Sequence, residues 1–331
     1  MDLQGVLDFL NARGLAFHWR REPNVGNREA ILRRTNGKKL DMGPVQVGIV
    51  IPDVHLGVGN DVFRGAGPAS DSADRLLRFL NALAELRDHL GAAKFCAVQL
   101  GDWYDLFRVL PALTVEQKIG AIEAQYADIC HAARQVPVAH CIGNHDAELY
   151  KNPRATQSRF GIAQPIGSNG VMAFHGHDNL TLQAIENEDV GDDIALSFVN
   201  LVALVPLLGN IVDFAQMIAD DSFEEPWSKG NTSQDKLWPA AVSPLPGWDA
   251  PWVARNDADK LVRAARGLEY VTDVALQVVL VGHTHRPGIA WANITGERSI
   301  PIVDVGSWTY GRAEIAIVTP DGVGLAGIPN V

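Results

Sequence analysis

Residues 95–105 read FCAVQLGDWYD, an apolar run that ends at a glycine and is followed by two carboxylates. The run has the length and composition of a buried strand. A carboxylate directly after such a strand lies at the carboxyl end of a sheet, where α/β proteins bind their ligands. Gly101 has no side chain, which lets the Asp102 carboxylate turn out of the sheet. This stretch predicts an α/β protein in which polar side chains at one edge of the sheet form a ligand-binding site.

The same arrangement recurs four times along the chain. The four stretches are Asp-Val-His at 53–55, Gly-Asn-His-Asp at 143–146, His-Gly-His at 175–177 and Gly-His-Thr-His at 282–285. Apolar patterning predicts strands at 45–51, 95–100, 136–142, 276–281, 301–305 and 314–318. It also predicts helices at 3–11, 28–34 and 115–135, and a further helix capped at 71–74. Strands that alternate with helices favour a sheet whose loops carry the polar motifs.

The motifs combine three kinds of metal ligand. Asp53 and His55 are two residues apart, so they face the same way at a strand end and can reach one ion. The Asp102 carboxylate can bridge two cations, and Asn144 offers a neutral oxygen. His283 and His285 could serve one metal each. Carboxylate, imidazole and amide together suit manganese, iron or zinc.

Composition restricts the class of protein. The chain has 331 residues and a net charge of −11, which argues against binding nucleic acid through the overall field. Residues 1–43 are nevertheless basic and read as a helical N-terminal extension that could contact nucleic acid. The three cysteines form no metal or disulfide pattern, and no secretion signal begins the chain. A cytoplasmic protein is expected. His140, inside an apolar run, is expected to be a core histidine.

Residues 178–255 interrupt the alternation of strands and helices. Within them, residues 194–212 carry no charge, but polar residues and Pro206 break the run, and site motifs flank it on both sides. We therefore expect no transmembrane span. The segment, which is rich in tryptophan and proline further on, is interpreted as a lid or an interface. Contact with a membrane surface and a homodimer are both compatible with it.

The five motifs together resemble the calcineurin-like metallophosphoesterase superfamily over roughly residues 45–310. The resemblance implies a four-layer α/β/β/α sandwich with two mixed sheets, formed by residues 44–331 and carrying a helical or irregular insertion. It also implies two divalent metal ions, with Mn²⁺ the leading choice and iron or Zn²⁺ as alternatives. One ion would be held by Asp53, His55, Asp102 and His285, and the other by Asp102, Asn144, His175 and His283.

The resemblance also implies the catalytic roles. His145 would protonate the leaving oxygen as general acid, Asp105 would support His145, and Asn144 would also bind substrate phosphate. Three further residues are expected beside the metals: His177, Asp146 and Ser307.

Departures from the family pattern narrow the substrate. Protein phosphatases of the family carry arginine and glycine after the second aspartate and glutamate after Asn-His, whereas this chain has Leu106, Phe107 and Asp146. A phosphodiesterase or pyrophosphohydrolase acting on a phosphorylated small molecule or a diester is favoured. The alternatives are a nuclease, a UDP-diacylglucosamine-like pyrophosphohydrolase and a scaffold that retains its metal site. The second usually has arginine in place of His145. The scaffold is disfavoured because no ligand is missing.

Overall fold

A computed structural model gives the fold. It describes residues 1–22, 28–33, 39–58, 63, 69–106, 113–143, 145–146, 149, 160–161, 163–176, 269, 275–283, 285, 287–295, 298–309 and 312–328. The described helices are α1 (Leu3–Asn11), α2 (Ala69–Leu90), α3 (Val115–Gln125) and α4 (Ala127–Gln135), with a short 3₁₀ turn at Ala92–Lys94.

The first sheet is mixed and has eight strands. They are β1 (His18–Trp19), β4 (Ile31–Arg33), β5 (Val47–Ile51), β6 (Phe95–Gln99), β7 (Val138–Cys141), β8 (Phe160–Gly161), β14 (Ala313–Thr319) and β15 (Gly322–Ile328). Strands β5 to β8 run parallel to one another, while β14 and β15 add antiparallel strands beyond β5. The parallel strands therefore direct three of the sequence motifs toward one edge.

The second sheet has five strands, namely β9 (Ala163–Ile166), β10 (Ser168–Phe174), β11 (Val278–Val281), β12 (Gly288–Thr295) and β13 (Arg298–Asp304). Their order across the sheet is β12-β13-β11-β10-β9. Strands β10, β11 and β13 are parallel, and the outer two strands are antiparallel to them. A separate two-stranded ribbon pairs β2 (Arg21–Glu22) with β3 (Arg28–Glu29).

Two apolar cores lie on opposite faces of the first sheet. The helix-side core packs Ile49 and Ile51 of β5 against α2 residues such as Leu80. The inter-sheet core packs Val50 of β5 against second-sheet residues such as Leu280. Successive residues of a strand point to opposite faces, so an unbroken apolar run such as β5 serves both cores. The predicted α/β fold with two mixed sheets is confirmed, and the described residues supply the helical layer on the first sheet.

Several predicted elements need correction. The helix predicted over residues 28–34 is wrong, because residues 28–29 form β3 and residues 31–33 form β4. Strand β4 pairs with β15, and its successive residues Ile31 and Leu32 enter opposite cores, which is strand rather than helix geometry. The helix predicted over 115–135 is broken at Tyr126, whose φ of −120° separates α3 from α4. Helix α2 begins at Ala69, two residues before the predicted cap.

The N-terminal segment adds strands to the first sheet. Strand β1 pairs with β15 at His18–Gly327, and β4 pairs with the other end of β15. Helix α1 buries four apolar residues in the helix-side core: Leu3, Val6, Leu7 and Leu10. The predicted domain boundary after residue 43 stays a prediction.

One other prediction concerns residues outside the described ranges. It is the lid or interface at 178–255, including the uncharged run at 194–212. Among the residues the structure does describe, the helices are too short or too polar to cross a bilayer.

Candidate metal centre

The polar motifs converge where the carboxyl ends of the two sheets meet. Asp53 follows β5, Asp102 follows β6 and His145 follows β7, all in the first sheet. His175 follows β10 and His285 follows β11 in the second sheet. Two hydrogen bonds join the sheets here. The backbone N–H of His283 donates to Asp53 Oδ2 at 2.8 Å, and His175 Nδ1 contacts the Leu100 carbonyl at 3.0 Å.

One group of donors comprises Asp53, His55 and His285, whose ligand atoms all lie within 4.8 Å of one another. The Nε2 atoms of the two histidines are 3.1 Å apart, and His285 Nε2 is 3.2 Å from Asp53 Oδ2. The three ligand atoms are therefore close enough together to bind one ion. Asp53 and His55 are buried, whereas the His285 side chain is 12% exposed.

A second group comprises Asp53, Asp102 and His175, and all three side chains are buried. His175 Nε2 is 3.2 Å from Asp102 Oδ2, and its Nδ1 is 3.6 Å from Asp53 Oδ1. Burial opposes the charged imidazole, but the Asp102 and Asp53 carboxylates outweigh it and raise the pKa of His175 to about 9. Burial likewise opposes charge on Asp102, yet His175 and neighbouring histidines hold the pKa of Asp102 well below its usual value. The site thus favours positive charge between its carboxylates.

His145 and Asp105 form the third group, together with His55. His145 Nδ1 lies 3.1 Å from Asp105 Oδ1, which is fully buried, whereas the His145 side chain is 17% exposed. The His145 backbone N–H donates to Asp102 Oδ1 at 2.8 Å. The Asp105 carboxylate thus contacts the His145 ring through Nδ1.

The backbone at these motifs is strained. Among the described residues, the non-glycine residues with positive φ are His55 (56°), Asp102 (53°), His283 (71°) and His285 (55°). Such conformations are uncommon for residues with a side chain and concentrate at functional sites. Glycines make room beside them. A side chain at Gly143 would overlap the Asp102 carboxylate, and one at Gly282 would overlap the Asp53 carboxylate.

The structure brings most of the predicted site residues together. The His283 ring lies 5.2 Å from that of His175, so it adjoins the second group. Asp146 accepts the Gly143 and Trp103 N–H groups at 2.7 and 2.9 Å. Burial and the Asp102 charge raise the pKa of Asp146 to about 7. Ser307 forms a parallel bridge with Asp53. Asn144 and His177 lie outside the described residues.

The donors fit a divalent metal. Within the described part of the chain, Asp53 Oδ1 is buried but accepts no hydrogen bond. An unsatisfied buried carboxylate oxygen is costly unless a cation binds it. Carboxylates and imidazoles at this spacing are the ligands that manganese, iron and zinc accept.

Three supporting residues were missed by the sequence analysis. Gln99 is buried, accepts the Gly101 N–H at 3.0 Å and contacts His140 Nδ1 at 3.3 Å. Arg312 donates to the His285 carbonyl at 2.9 Å. Glu314, buried in β14, accepts the Ser307 N–H at 2.9 Å. Gln99 is the single polar residue of β6 and Glu314 is the single charged residue of β14, and that exception to the apolar pattern was the available signal.

Comparison with known proteins identifies a family whose model matches this chain. The model of the calcineurin-like phosphoesterase family matches residues 49–287, which contain the five motifs. A search of curated proteins found no match.

Proposed function

Because the chain belongs to the calcineurin-like phosphoesterase family, it is a metal-dependent phosphoester hydrolase, and we propose that it cleaves a phosphodiester or pyrophosphate bond at a two-metal centre. The observation that carries this proposal is that Asp53 belongs to two groups of donors, one with His55 and His285 and the other with Asp102 and His175. The first ion would be held by Asp53, His55, Asp102 and His285. The second would be held by Asp102, Asn144, His175 and His283. Mn²⁺ is the proposed metal, since the mixed oxygen and nitrogen ligands accept it.

The protein side of the mechanism rests on His145. Paired divalent ions, when bound, polarise a phosphate group and supply a nucleophile at neutral pH. His145 then donates a proton to the leaving oxygen from Nε2, while Asp105 holds the ring through Nδ1. The hydrogen bond from the His145 backbone N–H to Asp102 connects the general acid directly to a metal ligand. The distance between His145 and the metal centre is therefore fixed. We assign Asn144 to the substrate phosphate as well as to the second ion.

The preference for a diester is supported by Leu106. This residue is fully buried, and its N–H donates to the His145 carbonyl at 3.1 Å. The position at which protein phosphatases of the family carry arginine is therefore occupied by a core side chain, and it offers no charge for a phosphate monoester.

The contacts of the basic N-terminal segment favour a small substrate over nucleic acid. Several of its cations are paired with acids of the same chain, namely Arg13 with Glu85, Arg20 with Glu314, Arg21 with Glu29 and Lys39 with Asp321. Paired cations contribute less to binding a polyanion.

The cytoplasmic location remains part of the proposal and is supported by three cysteines that form no disulfide.

The test is hydrolysis of bis(p-nitrophenyl) phosphate beside p-nitrophenyl phosphate, using metal-stripped protein titrated with Mn²⁺. We expect Mn²⁺-dependent turnover that favours the diester. Asp53→Asn should abolish it, whereas His18→Asn, at an exposed histidine on β1, should leave it unchanged. Faster cleavage of the monoester would contradict the diester assignment, and turnover without metal would contradict the mechanism.

A further inference from the structure

We propose that Glu314 is a positioning residue for Asp53, and that Arg20 of the N-terminal segment holds Glu314 in place. Both residues lie outside the range 49–287 that the family model matches. The inference rests on the proposed function, because it takes Asp53 to be a metal ligand.

The Glu314 side chain orders the loop between β13 and β14. Its Oε2 accepts the Ser307 N–H at 2.9 Å, and its backbone carbonyl accepts the indole N–H of Trp308 at 2.7 Å. Gly306 has a φ of 93°, and a side chain there would overlap the Glu314 carboxylate. The loop can therefore close against this carboxylate only with glycine at that position.

The same loop holds the backbone of Asp53. The Trp308 N–H donates to the Asp53 carbonyl at 2.8 Å, and Ser307 forms the parallel bridge with Asp53. The Trp308 indole is fully buried and lies 5.1 Å from the Phe79 ring, which anchors the loop in the helix-side core. The backbone of Asp53 is thus held from the loop side, while its Oδ2 accepts the His283 N–H from the second sheet.

Arg20 compensates the charge of this buried carboxylate. The Glu314 side chain is 2% exposed and that of Arg20 is 31% exposed, and the guanidinium pairs with Glu314 Oε1. Burial raises the pKa of Glu314, and the guanidinium opposes that shift. The Arg20 N–H donates to the Leu325 carbonyl at 2.9 Å, so its backbone is fixed on β15. Removal of Arg20 would leave the buried Glu314 charge less well compensated.

The positions of these contacts form a continuous route. It runs from the N-terminal segment through Arg20 and Glu314 to the Ser307 loop, and from the loop to Asp53. Residues that orient a metal ligand in this way affect metal affinity by about 10- to 100-fold when they are removed.

The experiment measures Mn²⁺ binding to the metal-stripped full-length protein by isothermal titration calorimetry, with thermal melting in EDTA as a separate readout of the fold. Glu314→Ala removes the acceptor for the Ser307 N–H, and we expect about 10- to 100-fold weaker Mn²⁺ binding. The Arg20→Met, Glu314→Gln double variant removes the charges but keeps an amide oxygen for that N–H, so its affinity should return to within a few-fold of wild type. Arg13→Gln breaks the more exposed Arg13–Glu85 pair of the same segment and is the matched control.

Mn²⁺ affinity equal to wild type in Glu314→Ala, with only a lower melting temperature, would overturn the inference. If Glu314→Ala does not fold, Arg20→Gln is compared with Arg13→Gln, and equal affinities would overturn it as well. Wild-type protein that binds no Mn²⁺ would overturn the proposed metal centre itself, which distinguishes the two failures.

Discussion

At the scale of single residues, the site depends on side chains held in conformations that their own backbone disfavours. Positive φ at His55, Asp102, His283 and His285 is stored strain, which persists because neighbouring contacts determine the position. His283, for example, is held by its N–H bond to Asp53. These contacts keep the ligands in place before a metal binds.

The pairing of Asp105 with His145 predicts a specific kinetic effect. Asp105→Asn keeps the shape but removes the charge beside His145 Nδ1, so kcat should fall about 10- to 100-fold, less than the 10²–10⁴-fold contribution typical of a general acid. Mn²⁺ stoichiometry should stay unchanged. The loss should be larger for alkyl than for p-nitrophenyl diesters, because nitrophenolate leaves without a proton. Equal losses for both leaving groups would argue against an acid-supporting role.

His140 predicts how stability changes with pH. Burial lowers the pKa of this histidine to about 4, whereas the unfolded chain binds the proton near pH 6.5. The folded pKa is depressed, so the stability that neutral His140 provides is present above pH 6.5 and lost as pH falls toward 4. In urea unfolding of metal-free protein, the free-energy difference between wild type and His140→Gln should shift on the order of 2 kcal/mol against wild type between pH 7 and 4.5. Parallel curves for the two proteins would contradict this assignment.

Sequence motifs and the family resemblance predicted the candidate ligands and Asp105 beside His145, but they did not predict Glu314 and Arg20. Asp102 and His283 follow glycines at the ends of apolar runs, so their position could be predicted from order along the chain. Glu314 and Arg20 are far apart in sequence and meet only because β1 and β14 both pair with β15. Local spacing carries no information about such a pairing.

At the scale of elements, strands with two buried faces were the easiest to predict. β5 lacks polar side chains and β6 has one, Gln99, because both faces are covered, and their predicted positions are confirmed to within two residues. The segment at 28–33 contains two arginines and a glutamate within a short span, so its pattern resembles a polar helix face. Its pairing with β15 overrides that local preference. The break at Tyr126 has no proline or glycine to mark it.

Helix α3 predicts a local effect on stability. Thr114 Oγ1 accepts the Gln117 N–H at 3.3 Å, and the Gln117 side chain accepts the Thr114 N–H at 2.9 Å, which forms a capping box. Thr114→Ala should lower the free energy of unfolding by about 1 kcal/mol in urea titration. Thr114→Ser keeps the hydroxyl and is the matched control, with a smaller expected loss. The cap does not touch the metal centre, so a change in Mn²⁺ affinity would contradict this local interpretation.

At the scale of the whole molecule, the site lies where the two sheets meet, so its geometry depends on the packing between them. The inter-sheet core joins Val50 and Val98 of the first sheet to Ala173, Leu280 and Val303 of the second. These residues directly precede the motifs that converge on the metal centre. The family resemblance of the sequence predicted which motifs would lie together. It could not predict the strands β9, β10, β12 and β15, because glycine and polar residues interrupt their apolar patterns.

The N-terminal segment predicts the outcome of truncation. Residues 1–43 bury ten large apolar side chains, namely Leu3, Val6, Leu7, Leu10, Leu15, Phe17, Ile31, Leu32, Leu40 and Met42. At about 1.5–3 kcal/mol for each buried side chain, their loss exceeds the roughly 5–15 kcal/mol by which a domain is stable. A protein comprising residues 44–331 should therefore be insoluble or show no cooperative melting by circular dichroism.

The matched control for this truncation removes charge and leaves the core intact. An Arg13→Gln, Arg21→Gln double variant changes two partly exposed ion pairs, so it should melt within a few degrees of wild type. If the truncated protein melted cooperatively and hydrolysed the diester, the segment would be a separable basic extension. In that case the route from Arg20 to Asp53 would also be dispensable, because the remaining domain would position its metal ligands without it.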